Sequence, residues 1–186
     1  MTEEEKQGLE TPVKIFIVIA CLIIAVPFVY IWVLSVPATK VLINMEDTTK
    51  SDMTIKVIGS QWRWQYEYLG TDISFYSTNE DHRPTEANEM AVSKALVVPS
   101  GRKVRVLITA SDVIHAWWIP AFGVKKDAIP GYINELWFQV DEGKEGTYVG
   151  GCAELCGDGH YYMPIEVSVM TGSEFDAWIA AGGYKN

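Results

Sequence analysis

Twenty-five consecutive residues, IFIVIACLIIAVPFVYIWVLSVPAT, separate Lys14 from Lys40 without a single charge. A helix crosses the ~30 Å hydrocarbon core of a bilayer in about 20 residues. Lipid also requires every backbone N–H and C=O to be bonded within the segment, which restricts an isolated run of this kind to a helix. The sequence therefore predicts an N-terminal tail over 1–12, a transmembrane helix over 13–39 and a separate domain over 40–186. Pro27 predicts a kink in that helix, and Tyr30 and Trp32 are placed to anchor it near a membrane interface. A cleavable secretory signal carries a basic leader and a shorter apolar core. Here Glu3, Glu4, Glu5 and Glu10 lead, and the run is too long. Lys6 and Lys14 before the run and Lys40 after it leave its orientation open by charge count. Cys21, inside the run, reads as a small apolar packing residue.

The remainder needs a different architecture. Residues 41–186 hold 20 acidic and 12 basic side chains, so they carry −8 of the chain's net −9. That surface repels phosphate and excludes a nucleic-acid partner, while it suits a basic protein. Apolar residues still make up 48% of the chain, which excludes a disordered one. Runs at 54–58, 61–68, 103–109, 134–140 and 163–170 are short and rich in β-branched and aromatic residues, with turn signals between them. Val104, Val106 and Ile108 alternate with Lys103 and Arg105, and Ile165, Val167 and Val169 with Glu166 and Ser168. That two-residue period belongs to half-buried strands. The series predicts a mainly β fold, a Greek-key sandwich or barrel. Residues 173–181 predict a short closing helix. Ser173 caps it, Asp176 sits at the capping-box position, and Phe175, Trp178 and Ile179 form its apolar stripe. The polar segment 79–90 predicts an exposed loop, with His82 a solvated loop histidine.

The chemistry concentrates in CAELCGDGHYYMP, residues 152–164. Cys152, Cys156, His160 and Met163 follow one another at spacings of four, four and three, and Gly157 and Gly159 permit the tight turns that bring them round one centre. Thiolate, thioether and imidazole are donors for copper, zinc or iron–sulfur sites, unlike the carboxylates and waters of magnesium or calcium sites. His115, on a strand pattern at 111–115, is placed to arrive as a second imidazole. A mononuclear blue-copper site uses one Cys, two His and a weak Met, so this set has one thiol too many. Two thiolates can instead bridge two coppers, each with one histidine and a weak axial ligand. Other readings account for less. A disulfide between Cys152 and Cys156 gives no reason for His160 and Met163. A structural zinc held by two Cys and two His leaves Met163 idle, and Met163 alone can be core filler. A membrane-tethered copper or zinc protein with a structural or metal-delivery role is the alternative to an electron carrier.

Four ordered motifs carry a resemblance: VIGSQWRWQYEY at 57–68, SDVIHAWWIP at 111–120, KDAIPG at 126–131 and the 152–164 loop. From about Val36 onward the chain resembles subunit II of the haem–copper cytochrome c oxidases. The resemblance implies a cupredoxin-like domain carrying a binuclear CuA centre. It implies that Cys152 and Cys156 bridge two copper ions, that His115 and Met163 complete one, and that His160 with the backbone carbonyl of Glu154 completes the other. The Glu154 carboxylate is then implied as a ligand of a magnesium or manganese ion shared with subunit I. Trp62 matches the surface tryptophan through which the electron of cytochrome c enters. Asp112 is implied as a docking charge whose neutralisation weakens docking without disturbing copper.

The activity implied is acceptance of electrons from cytochrome c and their passage to haem in subunit I, where oxygen is reduced to water with proton pumping. The setting implied is an assembly with subunit I and other subunits, in the lipid of a bacterial plasma membrane or mitochondrial inner membrane. Its domain then faces the periplasm or intermembrane space. Three departures accompany the resemblance. The family's carboxylate near the inner end of its second helix, tied to proton uptake, has no secure counterpart, Glu10 lying too far from Pro37. The family has two helices before the barrel and there is room here for one, corresponding to the second, so a first is expected to be absent or supplied by a separate polypeptide. Arg63 also stands where the family is often aromatic.

Overall fold

The apolar run lies within one helix, α1 (Glu3–Glu46), in the computed structural model, which describes residues 2–79 and 91–184 and only the backbone of residues 3–10. The helix extends past both ends of the expected span and contains Pro12, Pro27 and Pro37. Its apolar side chains are exposed all round, Phe16 at 72% and Phe28 at 70%. That is the state of a helix whose solvent is lipid rather than a protein core.

Met45–Asn186 form a second compact unit. In chain order its strands are β1 (Met53–Ser60), β2 (Arg63–Tyr68), β3 (Ser74–Ser77), β4 (Leu96–Pro99), β5 (Val104–Ala110), β6 (His115–Ile119), β7 (Val124–Ala128), β8 (Asn134–Phe138), β9 (Gly146–Cys152) and β10 (Pro164–Met170). They make two five-stranded sheets, ordered β3-β2-β1-β5-β8 and β4-β10-β9-β6-β7. Strands β1 and β5 pair in parallel with Val57 beside Ile108, and β4 and β10 with Val98 beside Val169. Both sheets turn their apolar faces to one core. Ile55, Val57, Val106 and Ile108 come from the first, Trp117, Ile119, Ile165 and Val167 from the second, all fully buried. The alternation read in 103–109 and 163–170 is the burial alternation found.

Some boundaries differ from expectation. Gln61 and Trp62 form a turn before β2 rather than its first residues, β8 ends at Phe138, and β10 begins at Pro164. Strand β4 is buried at all four positions, so it shows no alternation for sequence reasoning to find. The expected loop 79–90, including His82, lies outside the described residues apart from Asn79.

The closing helix is α2 (Gly172–Ala180), and its cap is Thr171 rather than Ser173. The Thr171 hydroxyl accepts from the Glu174 N–H at 3.3 Å while the Glu174 carboxylate accepts from the Thr171 N–H at 3.0 Å. That reciprocal box satisfies two otherwise unpaired donors two residues earlier than predicted. Asp176 is thereby free to accept both guanidinium N–H groups of Arg102, each at 2.7 Å. Phe175, Trp178 and Ile179 face inward as expected, packing against the core.

Candidate metal centre

Strands β6 and β9 are antiparallel neighbours with Trp117 opposite Cys152, so His115 at the start of one and Cys152 at the end of the other reach the same end of the sheet. The loop between β9 and β10 is closed at its root. The Cys152 N–H donates to the Met163 carbonyl and the Ala153 N–H to the Ala116 carbonyl, both at 3.0 Å. A short 3-10 turn, His160–Tyr162, then folds His160 back over the loop.

The result is an unbroken series of soft donors. His115 Nδ1 lies 3.9 Å from Cys152 Sγ, Cys152 Sγ 3.8 Å from Cys156 Sγ, and Cys156 Sγ 3.6 Å from His160 Nδ1. The ligand atoms of His115, Cys152 and Cys156 all lie within 4.8 Å of one another. Both cysteines are free thiols, so the disulfide reading is not realised. Metal–sulfur bonds of about 2.3 Å to each sulfur span the observed gap at an angle of about 110°, so the pair fits shared metal ions. Met163 is buried at the loop's root, and the Glu154 carbonyl accepts from the Cys152 thiol at 3.3 Å while Glu154 itself is exposed.

The electrostatics favour a thiolate at one sulfur only. Burial works against ionising Cys152, but its hydrogen bonds to His115, to the backbone at Ala116 and Glu154, and to His160 outweigh that and lower its pKa to about 6. Burial, and then the charge on Cys152, push the Cys156 thiol up to about 12. Burial would lower the His115 imidazole, yet contact with Cys152 and Asp112 leaves its pKa above the ordinary value. A metal ion would take over the role of these protons.

Asp112 is tied inward. One carboxylate oxygen lies 2.9 Å from His115 Nε2 and the other accepts from the Gln61 backbone N–H at 2.7 Å. Burial would raise its pKa, but these bonds and one from the Val113 N–H hold it below the ordinary carboxylate range. With a metal in place of the proton shared with Cys152, an ionised Asp112 would keep the proton of neutral His115 on Nε2 and leave the Nδ1 lone pair for the metal. The Asp112 carboxylate thus bonds a candidate ligand, beside the docking role expected of it.

Trp62 is 39% exposed, and its indole N–H donates to the Cys156 carbonyl at 3.2 Å. Its ring lies on Gly159, where a Cβ would fall 2.2 Å from Trp62 Cδ2. A groove of about 480 Å³ runs beside it, walled by Trp62, Arg63, Asp158 and Tyr162. The Arg63 guanidinium lies 4.0 Å over the Tyr76 ring. Sequence reasoning missed Gln61, whose side-chain amide donates to the same Cys156 carbonyl at 2.8 Å. The only signal for it was its place beside Trp62 in the motif at 57–68.

Two sheets that gather two thiols, two imidazoles and a buried methionine at one strand end define a cupredoxin-like metal domain. The signature of the family "Cytochrome C oxidase subunit II, periplasmic domain" matches residues 53–170, and the chain belongs to that family. The probable cytochrome c oxidase subunit 2 of Rickettsia bellii (strain RML369-C) is 41% identical over 160 residues, 84% of this chain and 59% of that protein. Cytochrome c oxidase subunit 2 of Cereibacter sphaeroides is 39% identical over 181 residues, 85% of this chain and 59% of that protein. Among solved structures, the periplasmic domain of subunit II of cytochrome oxidase (CoxB) of Bradyrhizobium japonicum superposes with a TM-score of 0.65 at 42% identity, covering 71% of this chain and 94% of that one. Another 42%-identical match, covering 73% of this chain and 93% of its own, is a subunit II caught in a mixed disulfide with a thioredoxin-like protein, TM-score 0.61. The chain spans between 50% and 59% of the length of the curated relatives it matches. The unburied apolar helix and the periplasmic-domain family together make this a membrane-anchored protein with a periplasmic domain.

Proposed function

We propose that the chain is the electron-accepting subunit of a cytochrome c oxidase. It takes electrons from cytochrome c at a binuclear copper centre and passes them to haem in subunit I, where oxygen is reduced to water with proton pumping. The observation that carries this reading is the series His115–Cys152–Cys156–His160, four soft donors at 3.6–3.9 Å whose two thiols stay free. A copper pair bound there supplies one-electron redox chemistry shared by two metals. Cys152, Cys156, His115 and His160, with Met163 and the Glu154 carbonyl, would be the groups that hold such a pair.

The remaining roles belong to the chain. Asp112 holds the His115 ring in one tautomer and orientation. Trp62 presents an exposed aromatic edge that is one hydrogen bond from the backbone of a ligand, which suits it to receive the electron. The net −8 of residues 41–186 attracts a basic donor such as cytochrome c, and Asp112 adds its charge beside Trp62. The exposed Glu154 carboxylate is the group for a magnesium or manganese ion shared with subunit I. Helix α1 meets lipid in the bacterial plasma membrane. A thioredoxin-like partner, of the kind seen with the related subunit II, fits the task of keeping Cys152 and Cys156 reduced before loading.

Stopped-flow mixing of the copper-loaded full chain with reduced cytochrome c tests the reading. Oxidation should be fast, slow down as ionic strength rises, and vanish in the copper-free chain. A loaded chain that leaves cytochrome c reduced overturns it.

A further inference from the structure

Resting on the reading of Trp62 as the point where the electron enters, we propose that Gln61 is a positioning residue that clamps Trp62 to the metal-ligand loop. Gln61 is held from both sides. Its backbone N–H donates to Asp112, whose other oxygen bonds His115, and its side-chain amide donates to the carbonyl of Cys156. The Gln61–Trp62 pair is thus tied to one candidate ligand through Asp112 and to a second through that carbonyl.

The carbonyl oxygen has two lone pairs and takes both the Gln61 amide at 2.8 Å and the Trp62 indole at 3.2 Å. The facing loop is shaped around the pair. Gly157 has φ +109°, and a Cβ there would come 3.0 Å from Gln61 Nε2 and 3.3 Å from Trp62 Cζ2. Gly159 admits the indole ring itself, as the 2.2 Å approach of a Cβ there to Trp62 Cδ2 shows. Without the amide, one longer hydrogen bond is left to hold a ring that is 39% exposed. The Gln61 bond is the shorter of the two, 2.8 Å against 3.2 Å.

The test uses the copper-loaded full chain carrying Gln61→Met, which keeps length and neutrality but removes the donor. In single-turnover oxidation of reduced cytochrome c, the limiting rate should fall about tenfold, with half-saturation, copper content and absorption spectrum unchanged. Added to Trp62→Phe, the same substitution should cost nothing further, because it acts through Trp62. A loss that persists in the Trp62→Phe background, or one that falls on half-saturation, overturns the clamp. Trp62→Phe leaving the rate intact would instead sink the reading of Trp62 as the electron's point of access. The clamp is then decided by Trp62 emission, taken as the difference between each chain and its Trp62→Phe counterpart. A red shift with stronger acrylamide quenching in Gln61→Met supports the clamp, and an unchanged spectrum overturns it.

Discussion

Strand β2 carries the two ends of the domain on its buried face, and they are built on opposite principles. Four residues beyond Trp64, Tyr68 lies 5.3 Å from the Trp178 ring in a cluster with Phe75, Phe175 and Tyr184. Its hydroxyl donates to the Val97 carbonyl at 2.7 Å and accepts from the Val97 N–H at 2.9 Å, while the Tyr184 hydroxyl donates to the Ala95 carbonyl. At the other end Trp64 meets His115 edge-on with ring centroids 6.0 Å apart, and its own indole N–H is buried with no hydrogen-bond partner among the described residues. Four donor atoms there face chiefly one another. Buried polar groups without proper partners cost stability, so a domain can keep such an end only if another is well packed. The aromatic end closes the fold and lets the other end keep its cluster of thiols and imidazoles.

The comparison breaks most sharply at Cys156. Cys156→Ser removes one of the two proposed bridging donors, and copper analysis of the full-length variant should find the pair lost; two coppers retained would show that the Cys156 thiol is not a ligand. At the aromatic end, Phe175→Ala should destabilise folding by about 3–5 kcal/mol, read by denaturant unfolding, while the folded fraction still loads copper. Loss of copper from that folded fraction would mean the ends are not separable.

Acidity sharpens the contrast further. In the metal-free chain, against the pull of burial, hydrogen bonds to His115 and the nearby backbone hold the Cys152 pKa down at about 6, while burial beside that charge pushes the Cys156 thiol up to about 12. The Cys152 thiolate therefore contributes stability that is full above its unfolded value of about 8.5 and is lost as pH falls through about 6. Iodoacetamide labelling at pH 6, mapped by mass spectrometry, should find the thiolate of Cys152 about a hundredfold more abundant than that of an ordinary thiol. Equal labelling of Cys152 and Cys156 with a common midpoint near the ordinary value would contradict this. Asp112→Asn should weaken copper binding about tenfold or more in a competition titration, because it releases the His115 ring. The smallest effect belongs to the cap: Thr171→Ala should cost about 1 kcal/mol in thermal unfolding, and Ser173→Ala clearly less.

What the sequence made legible follows the same division. Helix α1 and strands β5 and β10 announce themselves because a long apolar run and a two-residue alternation each have one structural solution. Strand β4 is buried along its whole length and β9 is glycine-rich, so neither carries the alternation that marks a strand. The cap was misplaced because Ser173 and Asp176 satisfy the same spacing as Thr171 and Glu174. At the metal end, the spacing of Cys152, Cys156, His160 and Met163 was readable because soft donors are rare and were close in sequence. Gln61 was not, since its partner Cys156 lies 95 residues away. A glutamine beside a surface tryptophan has no pattern of its own. Asp112 was visible as a charge three residues before His115, but only tertiary structure shows that both of its oxygens turn inward.

Metal analysis combined with electron paramagnetic resonance on the copper-loaded full chain tests the binuclear centre most directly. Two coppers per chain, with hyperfine structure from one unpaired electron shared equally by both nuclei, is the expected result. A single bound zinc with no copper signal, or the pattern of one isolated copper, would contradict the bridging roles of Cys152 and Cys156.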